Sequence, residues 1–229
     1  MIPWQTLDRA IMNDGSELAI AQRDRQFAIR VDGQVLMNSD SHGSEEKLAT
    51  HGCERLRAKR RARVLIGGLG MGFTARAALD ELGPDARVDV AEIAGAVVQW
   101  NRDLIGHLAG APLRDRRLRV IEIDVATAIA RAADRYDAIL LDVDNGPQAL
   151  TSIHNKRLYT RSGLESARSA LRTDGVLAVW SAFDARSFTA RLVEARFDVT
   201  VKRVRAQSSS NQRHVLWLAR RTAPRRTSP

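Results

Sequence analysis

Five short apolar runs, each separated from the next by enough residues for a helix, constrain the fold of this chain more than any other feature. They lie at 64–66, 88–93, 118–123, 138–141 and 176–180. Runs that are apolar throughout are typical of strands buried on both faces, and strands that alternate with amphipathic helices form a parallel sheet. Two further apolar stretches, 199–204 and 214–219, flank a polar loop and predict an antiparallel C-terminal hairpin. We therefore expect an α/β fold with a doubly wound, mostly parallel seven-stranded sheet.

The segment before these runs has a different rhythm. Partly alternating stretches at 17–21, 26–31 and 34–37 are separated by polar turns, which predicts a small antiparallel β meander. Residues 44–56 have a helical composition. A chain of 229 residues is one large domain or one domain with an appendage. We expect an N-terminal β segment and linker helix over 1–52, the main domain over 53–221 and a disordered basic tail over 222–229.

Composition excludes several classes of protein. With 44% hydrophobic and 28% charged residues the chain can bury a core, unlike a disordered chain. The single cysteine, Cys53, excludes an internal disulfide and a cysteine cluster, and no grouping of histidines and acids has metal-ligand spacing, so we expect no metal. The chain has no apolar run long enough to span a membrane, and its first residues lack the pattern of a secretory signal. We expect a cytoplasmic protein that is not attached to a membrane.

The net charge of +9 comes from arginine more than lysine. The densest cluster of basic side chains lies just before the first long apolar run and consists of Arg55, Arg57, Lys59, Arg60, Arg61 and Arg63. A basic segment of this kind can hold nucleic-acid phosphates. A solvated helix face explains it equally simply and is the interpretation we favour. Nucleic acid stays as an alternative partner.

A glycine-rich turn follows the first of the predicted parallel strands. Residues 67–72 read G-G-L-G-M-G, and Glu92 lies at the end of the next strand, 24 residues after Gly68. Glycines at such a turn let the backbone approach a ligand closely, and an acid at that spacing accepts hydrogen bonds from both ribose hydroxyls. The dinucleotide fingerprint fails because Phe73 stands where its third glycine belongs. The pattern suits a single adenosine without a pyrophosphate.

Two more acids end strands of the same predicted sheet. Asp124 follows the third strand, where it can accept a hydrogen bond from an adenine amino group or cap the next helix, and the two roles are compatible. Asp142 follows the fourth strand. Ligands of open α/β sheets bind at the carboxyl ends of the strands. We expect Gly68, Glu92, Asp124 and Asp142 to gather at this edge.

Six segments together resemble a known family. They are V-L-I-G-G-L-G-M-G (64–72), A-E-I (91–93), I-D-V (123–125), Y-D-A-I-L-L-D-V-D-N-G-P (136–147), L-Y-T (158–160) and L-R-T-D-G-V-L-A-V-W-S (171–181). In this order they resemble the spermidine synthase-like, or polyamine aminopropyltransferase-like, branch of the class I S-adenosylmethionine-dependent methyltransferase superfamily. The resemblance covers about residues 27–219, including the meander, and implies a Rossmann-like fold that is usually a homodimer.

The resemblance also assigns a cofactor site. It implies that the glycines at 68, 70 and 72 (Gly68, Gly70, Gly72) line the methionine part of S-adenosylmethionine or its decarboxylated form. Glu92 is expected to hold the ribose and Asp124 to contact adenine, with Ile93 and Val125 beside them in the same site. Asp142 is expected to contact the cofactor and to be the catalytic carboxylate.

The sequence departs from that family at three places. Aminopropyltransferases read G-G-G-D-G in the glycine loop, and the acid is absent here, its place taken by Gly70 or Met71. They carry a second aspartate where this chain has Asn145, and a Tyr-His pair where it has the residues 40–46. A diamine loses binding energy when these groups are missing. We therefore favour methyl transfer to a small-molecule acceptor. Aminopropyl transfer, displacement by the cofactor's own amine and an RNA-modifying or nucleic-acid-binding role remain as alternatives.

A transferase of this kind aligns an acceptor and removes its proton. Asp142 or Asp144 can take that proton, and His154 is a possible second base. Asn145, His154 and Tyr159 follow the fourth strand, where a lid over the acceptor belongs, and we expect them to contact the acceptor. His42, together with Glu45 or Glu46, is expected to line the acceptor pocket from the β side, although this segment also begins a helix.

Overall fold

The computed structural model describes residues 2–143, 153–205 and 213–223. Its N-terminal part is a four-stranded antiparallel meander, β1 (Gln5–Ile11), β2 (Glu17–Arg23), β3 (Gln26–Val31) and β4 (Gln34–Asn38). The predicted meander is confirmed, with one strand more than the sequence indicated. Six of the seven residues of β1 are exposed, so the strand has no apolar face that alternation would reveal.

The larger sheet has the order β10-β11-β9-β8-β5-β6-β7. Its strands are β5 (Arg63–Gly67), β6 (Arg87–Glu92), β7 (Leu118–Glu122), β8 (Tyr136–Leu141), β9 (Leu171–Ser181), β10 (Phe197–Arg205) and β11 (Arg213–Arg221). Strands β5 to β9 pair in parallel, whereas β11 pairs antiparallel with both β9 and β10. The predicted seven-stranded sheet with its reversed hairpin is confirmed. The chain proceeds from β5 toward β7 and then returns to β8, so the topological switch point lies between β5 and β8.

Helices cover both faces of this sheet. They are α1 (Gly43–Cys53), α2 (Phe73–Glu81), α3 (Gly95–Asp103), α4 (Val125–Ala130), α5 (Ile153–Lys156), α6 (Arg161–Ala170) and α7 (Arg186–Glu194). Leu48, Leu79 and Val97 of the first three helices share one buried core with the meander. Ile129 and Phe188 belong to a second core on the opposite face. The two cores hold the sheet rigid between them and fix the position of its carboxyl ends.

Acids near the amino ends of the parallel strands are neutralised by basic side chains. Asp137, 2% exposed at the start of β8, accepts Lys59 Nζ at 2.9 Å and Arg172 Nη1 at 3.0 Å. Asp89 of β6 is paired with Arg119 and Arg135, each at 3.1 Å. These pairs tie neighbouring strands and the segment before β5 together.

Part of the basic cluster at 55–63 is used in the same way. Arg57 lies 2.5 Å from Glu81, Lys59 pairs with Asp137, and Arg60 lies 3.6 Å from an oxygen of Asp85. These three cations are engaged within the fold, which lowers the charge available to a nucleic acid. Among the described residues, no helix combines the length and the apolar character needed to cross a bilayer.

Candidate functional site

The glycine loop joins β5 to α2 and passes close to the end of β8. Gly68 has φ +86°, and a Cβ there would lie 2.7 Å from the carbonyl oxygen of Asp142. Gly70 has φ +51°, and a Cβ there would lie 2.7 Å from the methyl carbon of Met37. Gly68 therefore requires glycine for conformation and for space, whereas Gly70 requires it for conformation and a side chain there would have to displace Met37. Gly72, with φ +89°, precedes the first residue of α2.

Neighbouring elements hold this loop in place. Asn101 of α3 donates its amide hydrogens to the carbonyl oxygens of Gly70 at 2.7 Å and Val97 at 2.9 Å. Met37 of β4 covers Gly70 from the meander side. The loop is thus fixed between the two sheets before any ligand binds, which lowers the cost of ordering it around a ligand.

Glu92 ends β6 and faces the glycine loop. One carboxylate oxygen accepts the N–H of Leu69 and the other accepts the N–H of Ala94, both at 2.8 Å. The side chain is 8% exposed. Burial raises the pKa of Glu92 above its ordinary value, although the N–H groups of Ala94 and Leu69 pull the pKa down. Ile93, next in the chain, is 55% exposed and offers an apolar surface beside the carboxylate.

Asp124 caps α4. Its Oδ1 accepts the N–H of Thr127 at 2.8 Å and lies 2.5 Å from Nη2 of Arg157. Burial alone raises the pKa of Asp124, but the hydrogen bonds from Arg157 and Thr127 outweigh it and lower the pKa. The capping role is therefore present, and contact with adenine stays a prediction. Val125 is buried beneath Gly67, so its side chain supports the strand end from below.

Asp142 lies at the carboxyl end of β8, at the switch point. Thr74 of α2 donates its hydroxyl to Asp142 Oδ2 at 2.5 Å, and the backbone N–H of Asp142 donates to Gly67 at 3.2 Å. Burial raises the pKa of Asp142 to about 6, against the lowering effect of the Thr74 hydrogen bond. A carboxylate with this pKa is ionised at neutral pH and is a better proton acceptor than an ordinary aspartate.

A second acid, in the first turn of α1, interacts electrostatically with Asp142. Burial raises the pKa of Glu45 well above its usual range, and the negative charges of Asp142 and Glu46 raise the pKa further. Glu46 has a different neighbour, because its Oε1 lies 2.9 Å from Nδ1 of His42. Of the two glutamates left open by the sequence, Glu45 is the one that interacts with Asp142.

The remaining predicted acceptor residues lie apart. His42 stacks on Phe73, with ring centroids 4.0 Å apart, and lines a cavity of about 360 Å³ between α1 and α2. Tyr159 is 3% exposed, and its ring meets Phe188 edge-on at 5.5 Å within the second core. For both residues, contact with an acceptor stays a prediction.

Other predicted site residues lie outside the described part of the chain. Asp144 and Asn145 fall outside the described residues, as does the side chain of His154, whose backbone lies in α5. Over residues 2–143, 153–205 and 213–223, histidine, cysteine and acidic side chains do not come together in a group of three suited to a metal ion.

The sequence is similar to a known protein family. Residues 45–204, more than half of its length, match the spermine/spermidine synthase domain. The chain belongs to the spermine/spermidine synthase family. Polyamine aminopropyltransferase 1 of Hyperthermus butylicus is 32% identical to it over 120 residues, which are 50% of this chain and 39% of that protein. The match therefore spans about two fifths of the relative's length.

Solved structures of spermidine synthases share the fold of this family member. The enzyme from Thermotoga maritima superposes with a TM-score of 0.76 at 17% identity, covering 96% of this chain and 74% of the other. A spermidine synthase in complex with a transition state analogue gives 0.73 at 16% identity, with 96% and 73% covered. A probable spermidine synthase from Corynebacterium glutamicum gives 0.64 at 17% identity, with 96% and 81% covered.

The candidate site includes residues that sequence reasoning missed. Thr74, Asn101 and Arg157 contact Asp142, Gly70 and Asp124 respectively. Each partner is distant in sequence; Asp142, for example, lies 68 positions after Thr74. Nothing in a local motif marks such pairs, because the sheet topology alone brings them together.

Proposed function

We propose that this member of the spermine/spermidine synthase family transfers an aminopropyl group from decarboxylated S-adenosylmethionine to an amine. One observation carries the proposal. Asp142 and Glu45 interact at the switch point, and neither forms an ion pair with a lysine or arginine within the described part of the chain. Two acids without a cation suit two cationic reactants.

The glycine loop and Glu92 fit the nucleoside end of this reactant. Gly68 and Gly70 give the loop the left-handed backbone that lets it pass close to the strand ends, and Glu92 places a buried carboxylate beside it for the ribose hydroxyls. The exposed side chain of Ile93 supplies an apolar surface for a purine. The decarboxylated donor supplies an aminopropyl carbon already activated by a sulfonium. Because it lacks a carboxylate, Asp142 and Glu45 favour it electrostatically over S-adenosylmethionine.

In this proposal Asp142 is the proton acceptor. As the amine nitrogen bonds to the aminopropyl carbon, the carbon–sulfur bond breaks and its electron pair leaves with the sulfur in methylthioadenosine. The proton that the amine gives up moves to the Asp142 carboxylate. Thr74 holds that carboxylate through its Oδ2 at 2.5 Å, which leaves Oδ1 to take the proton. The tight backbone around Gly68 helps to keep water from the reacting atoms.

Methyl transfer is the second candidate, and the glycine loop is the observation that favours it. The loop carries no acid at position 70, where Met37 fills the adjacent space, so it offers no carboxylate for the donor's ammonium group. Methyl transfer from S-adenosylmethionine leaves S-adenosylhomocysteine. The similarity to aminopropyltransferases favours the first candidate over this one.

The two candidates are separated by their products. The protein is incubated with each donor and a panel of aliphatic amines, and nucleoside products are identified by mass spectrometry. We expect methylthioadenosine from the decarboxylated donor only when an amine is present. S-adenosylhomocysteine from S-adenosylmethionine supports methyl transfer instead. Methylthioadenosine without an amine indicates displacement by the donor's own amine, and no product from either donor contradicts both candidates.

A further inference from the structure

Trp180 is the neighbour of Asp142 on the next strand of the large sheet. Strands β8 and β9 are parallel and Leu141 is paired with Val179, so the residues that follow, Asp142 and Trp180, lie side by side. Adjacent strands are about 4.8 Å apart, and paired side chains lie on the same face of the sheet. Trp180 packs against the core formed with α1 and α2, and Thr74 of α2 binds Asp142. Both side chains therefore lie on this face.

Helix α1 covers the two strands on that face. A Cβ at Gly52 would meet the side chain of Leu140 and lie 3.2 Å from the Cβ of Ala178, so glycine there lets α1 pack closely on the sheet. Leu140 and Ala178 form the pair that precedes Asp142 and Trp180 on the same face. Trp180 therefore lies at the carboxyl edge of the layer between α1 and the sheet, beside the carboxylate that we propose as the proton acceptor.

The indole N–H of Trp180 is shielded from solvent, and it has no hydrogen-bond partner within the described part of the chain. Two other indoles are satisfied inside the fold. Trp100 donates to the carboxylate of Asp8 at 2.7 Å. Trp217 donates to the hydroxyl of Thr189 at 2.9 Å. A buried indole N–H usually has a partner, because leaving the donor unbonded costs free energy.

His214 of β11 packs against Trp180 but does not accept its N–H. The two rings meet edge-on, with centroids 4.7 Å apart. Nδ1 of His214 instead lies 2.8 Å from the hydroxyl oxygen of Ser44, in the first turn of α1, and both of these residues are buried. Packing thus holds the ring of Trp180 in place and leaves its N–H for a ligand.

The chemistry of Trp180 and Asp142 selects the ligand atom. An indole N–H only donates, so its partner must carry a lone pair, which an ammonium group lacks. A carboxylate has lone pairs, but the negative charge of Asp142 on the next strand repels it. A neutral oxygen, as in a hydroxyl, an ether or an amide, satisfies both neighbours.

We propose that Trp180 sets acceptor specificity by donating its indole N–H to a neutral oxygen of the acceptor. The preferred acceptor is then an amine that also carries a hydroxyl, ether or amide oxygen. This inference rests on the proposed aminopropyl transfer and names the class of acceptor. The nitrogen of such a molecule faces Asp142 and undergoes the bond changes described above, whereas the oxygen faces Trp180 and only accepts a hydrogen bond. A plain diamine places an ammonium group against the N–H instead.

The kinetic test compares three acceptors of equal length with the decarboxylated donor. They are a linear amino alcohol, the alkylamine in which a methyl group replaces the hydroxyl, and the diamine in which an amino group replaces it. We expect the wild type to favour the amino alcohol over each of the others about tenfold in kcat/KM. Trp180→Phe keeps an aromatic ring but removes the N–H, and should reduce both preferences to about twofold or less. The matched control is Trp217→Phe, which removes an N–H bonded within the fold and should keep the wild-type preference.

A binding measurement that needs no turnover separates this inference from the proposed function. The chain has four tryptophans, and the indole N–H signal of Trp180 in a proton–nitrogen correlation spectrum is the one missing from Trp180→Phe. With methylthioadenosine present, the amino alcohol should move this signal downfield, because the N–H gains a hydrogen bond. The alkylamine should leave it in place.

The outcomes distinguish the two proposals. If no amine yields methylthioadenosine but the amino alcohol moves the Trp180 signal, the proposed function fails and the contact of Trp180 with an oxygen is supported. If the alkylamine or the diamine reacts as well as the amino alcohol, aminopropyl transfer stands and the inference is overturned. It is also overturned if Trp180→Phe keeps the wild-type preference, or if the amino alcohol leaves the signal unchanged. The comparison of acceptors on the wild type needs no variant, so it decides the matter even if Trp180→Phe folds poorly.

Discussion

The two edges of the large sheet use the same residue types in opposite ways. At the amino edge, Asp137 and Asp89 are each paired with two basic side chains. At the carboxyl edge Asp124 is paired with Arg157, but Glu92 is held by backbone N–H groups and Asp142 by a threonine hydroxyl. A paired acid stabilises the fold and has no charge left for a ligand, whereas a carboxylate held by neutral donors keeps its charge for one.

Acids that are not paired with a cation cost the folded protein free energy. Hydrogen bonds from neutral donors offset only part of the cost of burying a charge, and burial accordingly raises the pKa of Asp142 to about 6. The carboxyl edge is therefore less stable than it would be with neutral side chains. An electrostatic cost of this kind is typical of sites at which a ligand supplies the positive charge that the protein lacks.

Removing the Asp142 carboxylate is the largest expected effect. We expect Asp142→Asn to lower kcat for aminopropyl transfer by about 100-fold or more, because general-base assistance is lost. Affinity for methylthioadenosine, measured by calorimetry, should change less than about threefold. Equal losses in affinity and rate would place Asp142 in donor binding and weaken its role as the base.

Removing a paired acid from the amino edge is expected to lower the stability of the fold. We expect Asp137→Asn to lower the free energy of unfolding by about 3 kcal/mol, because Lys59 and Arg172 lose their buried partner. Urea denaturation measures this change. Activity per folded molecule should match the wild type at a temperature where the variant is folded. If Asp137→Asn were as stable as the wild type but inactive, the conclusion that acids at the amino edge serve stability and not activity would be wrong.

Substitution of Glu92 tests the proposed contact of its carboxylate with the ribose. In Glu92→Gln an NH₂ group replaces one of the two oxygens that accept backbone N–H groups, so one of these hydrogen bonds is lost and the side chain must turn away. We therefore expect Glu92→Gln to weaken binding of methylthioadenosine about tenfold. Asp89→Asn, the corresponding change in the amino half of the same strand, is the control and should leave that affinity unchanged. Calorimetry on both variants decides the matter, and equal affinities for the two would remove Glu92 from the site.

The smallest expected effect is a gain in stability. Because the pKa of Asp142 rises from its ordinary value of 3.8 to about 6 in the folded protein, the folded state holds the proton more tightly between these pH values. The contribution of this group to stability therefore falls as the pH rises from about 4 to about 6. At pH 7.5 we expect Asp142→Asn to be about 1 kcal/mol more stable than the wild type, with no gain at pH 3.5. Urea denaturation at both pH values measures this, and a variant less stable at pH 7.5 would contradict it.

Local motifs made half of the site predictable. The glycine loop and Glu92 are separated by one strand and one helix, so a spacing rule finds them. The acceptor half depends on contacts across the fold, such as Glu45 with Asp142 and Thr74 with Asp142. Sequence reasoning therefore left Glu45 and Glu46 equivalent, and the contacts of Ser44 and Glu46 with the histidines separate them.

The same limit explains two other differences. Strand β1 escaped prediction because its exposed residues carry no apolar pattern. Asp124 was expected at adenine from its place after β7, and the structure adds Arg157, which is brought to it from a later segment. The ranking of methyl over aminopropyl transfer rested on the missing acids of the glycine loop and of the 40–46 segment. Similarity over residues 45–204 favours aminopropyl transfer instead.

Met37 and Gly70 lie on different sheets, and the methyl carbon of Met37 stands 2.7 Å from where a Cβ at position 70 would begin. Any side chain introduced at position 70 must displace Met37, so the two positions are coupled through shared volume. Homologues that carry an aspartate at position 70 should accordingly carry a shorter or differently oriented residue at position 37. An engineered Gly70→Asp should be tolerated better when it is combined with Met37→Ala than when it is made alone.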